Sequence, residues 1–328
     1  EAGVLYPPVA DDAHLYFATL KGYVVALDRQ GEEVWTRRLL QAPHKDGRER
    51  PERFDAPMSI FAGRLFVGSM SGTLYTFGAD SGESGWTYDV GGSVLGGVNF
   101  YSGAPDQGRV FILEQGEGSL HSLNFDTGDV VWKSDPVERC DGSPSVRDGQ
   151  IVFGSCAAAL HVFDAADGSL KRNIEYDADS QVAGGVAIVG HSAYSGSYSG
   201  RVFRVDLRNG AVIWVNEDSE DEVFTTPAVN ADRVVVSSYD GQVFALDKAT
   251  GKQQWTVDTH GAPTSPVIAQ DKVVVSSDGV LYLLSLETGA VLWSYEVSDE
   301  ISAPAIIGGM IVVGSEDGTV TAFGVGNE

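Results

Sequence analysis

A glycine followed four residues later by a tryptophan recurs six times along the chain, at Gly31/Trp35, Gly82/Trp86, Gly128/Trp132, Gly210/Trp214, Gly251/Trp255 and Gly289/Trp293. These pairs use every tryptophan present. A second glycine precedes each pair by nine or ten residues, at Gly22, Gly72, Gly118, Gly200, Gly241 and Gly279. The interval between Trp132 and Trp214 hides one further unit, with Gly168 in place and Arg172 where tryptophan is expected, and a partial unit ends at Asp317, Gly318 and Phe323. Eight units over 328 residues average 41 each. Self-similarity of this kind marks an array whose units bury their apolar faces against one another. Length alone would suggest roughly two domains of ~150 residues, but the repeat makes residues 1–328 a single domain.

Within a unit the pattern is β throughout. Between Thr226 and Asp258, four short runs, Pro227–Val229, Arg233–Ser237, Gln242–Asp247 and Gln253–Val257, are separated by turn residues,. We call them strands A to D. Runs such as Val234-Val235-Val236 and Ile311-Val312-Val313 are apolar on both strand faces, so each sheet is expected to be covered on both sides,. Four-stranded antiparallel sheets at this period, stacked face to face, describe an all-β, eight-bladed β-propeller.

The stretch Ala245-Leu246-Asp247-Lys248-Ala249-Thr250-Gly251 followed by Trp255 resembles the repeat of the pyrroloquinoline quinone (PQQ) propellers, and Ala26-Leu27-Asp28 with Gly31 and Trp35 is similar. The likeness covers essentially the whole chain and, within that family, is nearest the periplasmic propeller subunit of the outer-membrane β-barrel assembly machine. It implies that Trp35, Trp86, Trp132, Trp214, Trp255 and Trp293 dock between adjacent blades, in keeping with a bulky ring filling the wedge between two sheets.

Spacing also speaks to how the ring closes. Trp255 and Trp293 precede the strand A prolines Pro266 and Pro304 by eleven residues, and the same offset from Pro8 falls upstream of residue 1. The last unit has strands A to C only. The expectation is that its outer strand comes from the N-terminal side of a longer native chain and closes the ring, and that the sequence in hand starts at or just past the end of that strand.

The chain holds 46 acidic against 22 basic residues, a formal charge of −24. Such a balance repels phosphate backbones and anionic headgroups and argues against nucleic-acid binding. The longest apolar stretch, Pro304 to Gly314, is short of the ~20 residues a membrane helix needs, so no transmembrane segment is expected. Carboxylates gather in the D-to-A loops: Glu138 and Asp141; Asp177 and Asp179; Glu217, Asp218, Glu220, Asp221 and Glu222; Asp299 and Glu300. Since strands alternate direction, these loops share one face with the B-to-C turns, and that face is expected to be strongly negative. An insertion at Gln41 to Asp55 is instead basic, with Lys45, Arg48, Arg50 and Arg53. The segment Asp177-x-Asp179-x-Gln181 opens like a calcium loop but carries Val182 where that loop needs glycine,.

Two cysteines are present. With a hairpin turn around Asp148, residues whose numbers sum to 296 face each other, which pairs Cys140 with Cys156 as a candidate disulfide,. A bridge would favour an oxidising compartment. His121 and His161 occupy strand C positions that carry Tyr or Phe in other units, which reads as packing; His14, His44, His191 and His260 are scattered singly.

No Gly-x-Ser-x-Gly elbow or phosphate loop occurs,. The expected function is that of a non-catalytic, exported propeller, monomeric and periplasmic or extracellular, which binds a protein partner through its acidic loop face without a cofactor. Two alternatives follow from the family resemblance. One is a quinoprotein dehydrogenase holding PQQ with calcium; such enzymes carry much longer inter-blade insertions than the roughly fifteen residues at 41–55, and often a vicinal Cys-Cys pair that this chain lacks. The other is a ligand-sensing propeller domain.

Overall fold

The computed structural model describes residues 2–42, 48–101, 108–175, 180–182 and 184–324. Every regular element described is a β-strand, and the strands form eight antiparallel sheets in which neighbours in sequence are neighbours in hydrogen bonding. Blades 1 to 8 occupy residues 9–38, 59–89, 99–133, 145–175, 187–216, 228–258, 267–296 and 305–323. In blade 6 the strands are Ala228–Val229, Arg233–Ser237, Gln242–Asp247 and Gln253–Asp258, within one residue of the boundaries expected from the sequence.

The core lies between blades, because each sheet buries both faces. Val234, Val235 and Val236 are all fully buried. Val234 and Val236 point toward Tyr194, Val202 and Trp214 of blade 5, whereas Val235 points toward Val273, Val275 and Leu284 of blade 7. Alternation along one strand thus feeds two different cores.

Each strand D carries a register shift against strand C just before the docking residue, as between Ala245 and Leu246 opposite Trp255 and Gln253. The extra residue twists the outer strand and presents the indole to the next blade. There the ring meets the glycine of the following Gly-x3-Trp pair. A Cβ on Gly82 would lie 2.5 Å from the Trp35 ring, and one on Gly251 would lie 2.6 Å from Trp214. The indole N–H groups donate across the same gap, Trp35 to the carbonyl of Ala79 at 2.7 Å and Trp255 to that of Leu286 at 2.9 Å. The repeated pair is therefore two halves of one contact: a tryptophan reaching forward and a glycine receiving the tryptophan behind it.

Blade 8 has three strands among the described residues, and no outer strand from the N-terminal side stands beside Val320–Phe323. What joins the ring's ends in the structure is the N-terminal segment. Val4 donates its N–H to Ser315 of blade 8 at 2.8 Å, and Gly3 accepts the N–H of Leu20 of blade 1 at 2.9 Å. The face of strand D of blade 7 is left open, and Trp293 is 36% exposed where Trp35, Trp214 and Trp255 are at 6–8% and Trp86 and Trp132 are half-buried.

The strand A to strand B hairpin of blade 4 pairs Ser145 with Val152, Val146 with Ile151 and Arg147 with Gln150, numbers that sum to 297 rather than 296. Its two-residue turn, Asp148-Gly149, takes positive φ at both positions, the geometry of a type I′ turn,. Cys140 and Cys156 lie beyond the ends of this ladder, where the N–H of Cys156 donates to the Arg139 carbonyl at 2.8 Å; both stand as free thiols, with the Cys140 thiol donating to the Glu138 carbonyl at 3.1 Å.

Candidate functional site on the loop face

The B-to-C turns of blades 1 to 5 are built the same way. Strand B ends in a residue whose side chain accepts backbone N–H groups further along the turn: Thr19 from Tyr23, Ser69 from Thr73, Ser155 from Ala157 and Ser197 from Arg201. In blade 3 the carboxylate of Glu114 does this for Gly116 and Glu117. Such Ser and Asx-type bonds stabilise a tight turn without regular structure. The next residue sends its N–H to the D-to-A loop entering its own blade: Met70 to Arg53, Gln115 to Ser93, Cys156 to Arg139, Tyr198 to Gln181, Tyr239 to Glu222 and Glu316 to Glu300, all at 2.8–3.1 Å. The two sets of loops on this face are thereby tied together, and the side chain of that next residue is displayed on it.

On blades 5 and 6 the displayed residues are aromatic. Tyr198 meets Phe224 edge-on with ring centres 4.2 Å apart, and Phe224 meets Tyr239 in the same way at 5.0 Å. Tyr239 is 59% exposed. Burial pushes the Tyr198 phenol up, and Asp141 and Cys156 add to the effect. The loop that carries Phe224 also carries Glu217, Asp218, Glu220, Asp221 and Glu222, of which all but the half-buried Glu222 are exposed. Glu217 pairs with Arg201 at 2.8 Å, and Asp141 takes N–H groups from Gln115 and Arg139. Three rings packed edge to face and rimmed by carboxylates form a surface suited to an apolar segment bearing positive charge,.

The remaining acidic residues are placed elsewhere. Asp299 and Glu300 are exposed on the loop between blades 7 and 8, where Glu300 and Asp55 both act on the phenol of Tyr6, itself donating to Asp55 at 2.6 Å. Asp177, Asp179, Lys45 and His44 lie outside the described residues. The basic insertion returns on itself through a Leu40–Pro51 bridge, and Arg53 pairs with Asp55 at 3.9 Å.

Two features were not read from the sequence. The aromatic stack is one: its signal is the residue after the strand B serine, tyrosine in Ser197-Tyr198 and Ser238-Tyr239. The other is Glu52, 1% exposed, which accepts the hydroxyls of Ser71 at 2.6 Å and Tyr75 at 2.8 Å. On the opposite face His14 is not solitary: its ring nitrogen lies 3.8 Å from Asp11 and 3.6 Å from Asp80. Asp11 is already held by the N–H groups of Ala13 and His14 and the hydroxyl of Tyr16. His121 and His161 are both buried on strand C.

The family model described as outer membrane protein assembly factor BamB matches residues 20–175, 95–217, 171–299 and 240–327. A protein of that name from Shewanella oneidensis is 25% identical over 302 residues, covering 75% of each chain. A polyvinylalcohol dehydrogenase from Pseudomonas is 29% identical over 100 residues, covering 28% of this chain and 16% of its own. Among solved structures, BamB from Moraxella catarrhalis superposes with a TM-score of 0.80 at 21% identity over 98% of this chain and 95% of that one, a likeness of fold.

Proposed function

The chain belongs to the family described as outer membrane protein assembly factor BamB, and we propose from that premise that it is a periplasmic, non-catalytic propeller holding another protein of outer-membrane assembly on its loop face. The observation that carries this reading is the Tyr198–Phe224–Tyr239 stack among the Glu217–Glu222 carboxylates. Aromatic rings supply contact area at low entropic cost and are frequent centres of binding energy. Carboxylates around them speed the approach of a basic partner and reject an acidic one. The partner's matching chemistry is an exposed segment that combines Lys or Arg with aliphatic or aromatic residues. The propeller works without a bound quinone on this reading.

A photo-crosslinking amino acid placed at Tyr239, and for comparison at Asp271 on the opposite face, tests the reading in cells of the native host. Adducts to an envelope assembly protein at position 239, reduced at least tenfold by Phe224→Ala and absent at 271, are the expected result. Equal adducts from both faces, or none from position 239, would reject it. Purified protein titrated with PQQ, with and without calcium, and followed by tryptophan fluorescence, is expected to show no saturable quenching; calcium-dependent saturation would restore the dehydrogenase alternative.

A further inference from the structure

Blade 4 breaks the tryptophan pattern, and the consequence is visible on the face opposite the loops. In blades 1, 2, 5 and 6 the indole N–H of strand D donates to one carbonyl of the next blade, those of Ala79, Phe125, Lys248 and Leu286. Arg172 serves the same contact with its Nη1–H, which donates to the Leu207 carbonyl at 2.9 Å. Its side chain lies against Gly210 as an indole does elsewhere: a Cβ there would be 2.5 Å from Arg172 Cδ. The guanidinium thus replaces the donor but not the breadth of a bicyclic ring. Beside it lies an open pocket of about 440 Å³ between blades 4 and 5, lined by the cations Lys171, Arg172 and Arg208, by the carboxylates Asp148 and Asp164, and by Tyr101 among others. That size falls in the range of small-molecule sites, roughly 300–1,000 Å³.

The charges in the pocket are unevenly satisfied. Arg208 is clamped by both oxygens of Asp206, and Lys171 pairs with Asp164 at 3.1 Å. Arg172 is half-buried, and among the described residues its one polar contact is the Leu207 carbonyl. A guanidinium has five N–H donors in a planar fork that matches carboxylate and phosphate oxygens. With one donor on a protein carbonyl, the rest of the fork faces the pocket mouth, free to take the oxygens of an anion in place of solvent,. In a chain of charge −24, it marks a place where an anion is locally welcome against the field of the whole molecule,.

We infer that the pocket between blades 4 and 5 binds a small oxyanion, a carboxylate or a phosphate, on the fork of Arg172 with Lys171 alongside. The site is independent of the partner surface, since it lies on the A-to-B and C-to-D turn face. Because the overall charge opposes anions, binding is expected in the millimolar to high-micromolar range and to weaken as salt rises.

The test is thermal unfolding and calorimetric titration of the full chain with sodium phosphate and, separately, sodium succinate, each against sodium chloride at equal ionic strength. The expected result is saturable stabilisation by at least one of the two beyond the chloride control, by a few degrees. Which one stabilises identifies the oxyanion as phosphate or carboxylate. Arg172→Gln, which keeps a hydrogen-bond donor but removes the charge, is expected to abolish the effect. Arg172→Trp refills the wedge with the residue of the other blades; it is expected to melt at or above the parent temperature and to lose the anion response. No stabilisation beyond chloride, or an undiminished response in the Arg172→Trp variant, would overturn the inference.

Discussion

The glycine of each Gly-x3-Trp pair serves two demands that separate cleanly in this structure. Gly251 has φ +73° and faces the Trp214 ring with no room for a Cβ, whereas Gly31 has φ +86° and nothing within 4 Å. Alanine at position 31 meets only the left-handed backbone cost, about 1 kcal/mol. Alanine at 251 meets that cost and also pushes an indole out of its seat, so a loss of roughly 3 kcal/mol or more is expected. Urea denaturation of Gly31→Ala and Gly251→Ala compares the two, and equal losses would show that the contact is not what places the glycine. A second residue-scale consequence concerns His121. It shares a 2.9 Å hydrogen bond with Tyr88, and its other ring nitrogen is buried with no partner among the described residues. Burial first, and then Lys133, hold its pKa down at about 4 against an ordinary 6.5. The unfolded chain therefore takes up this proton first: the stability contribution is complete above pH 6.5 and is lost as pH falls through about 4. Melting temperature should fall between pH 7 and 4.5 more steeply for the parent than for His121→Phe, and parallel profiles would refute the assignment.

The strands were legible because period-two apolar alternation and turn glycines are local signals, so the blade 6 boundaries fell within a residue of those observed. Register is less local. The blade 4 hairpin pairs residues whose numbers sum to 297 rather than the expected 296, and Cys140 and Cys156, free thiols beyond the ends of that ladder, are positioned by loop backbone instead, through the Cys156 N–H on the Arg139 carbonyl. The loop site was half legible: the carboxylates of Glu217 to Glu222 can be counted in the sequence, but the meeting of Tyr198, Phe224 and Tyr239 comes from three separate loops and needs the ring geometry. The same geometry sets unequal values on identical tryptophans. Trp255 is 8% exposed, donates to Leu286 and has Gly289 against its ring. Trp293 is 36% exposed, and its neighbours Tyr295 and Phe323 leave one face of it to solvent. Trp255→Ala is expected to cost about 3–5 kcal/mol. Trp293→Ala in this chain should cost less than half as much. Denaturant midpoints that rank the two the other way would show that the blade 7 ring is docked as tightly as the rest.

At the scale of the whole molecule, the excess of carboxylates is a liability for the closed ring as well as a feature of one face. A charge of −24 on 328 residues repels itself wherever like charges are drawn together by folding,. The Glu217–Glu222 loop concentrates this effect, with Glu217, Asp218, Glu220 and Asp221 exposed within five positions and Arg201 paired to Glu217. Salt shortens the reach of such repulsion to about 10 Å at 0.1 M. The melting temperature of the parent should therefore rise between 10 and 300 mM sodium chloride. Replacing Glu220 and Asp221 by Gln and Asn should raise it at low salt and flatten the rise, since both carboxylates are exposed and add to the like charge of the loop. The same double variant should slow association with a basic partner at low salt, because steering by charge is lost while the aromatic stack remains. These two effects have opposite signs, stability gained and association rate lost, and that is what a binding face in tension with its own fold requires. If neutralisation left the salt dependence of melting unchanged, the charge of this loop would be solvated surface without consequence for the fold. Its place in partner recognition would then rest on the rings alone.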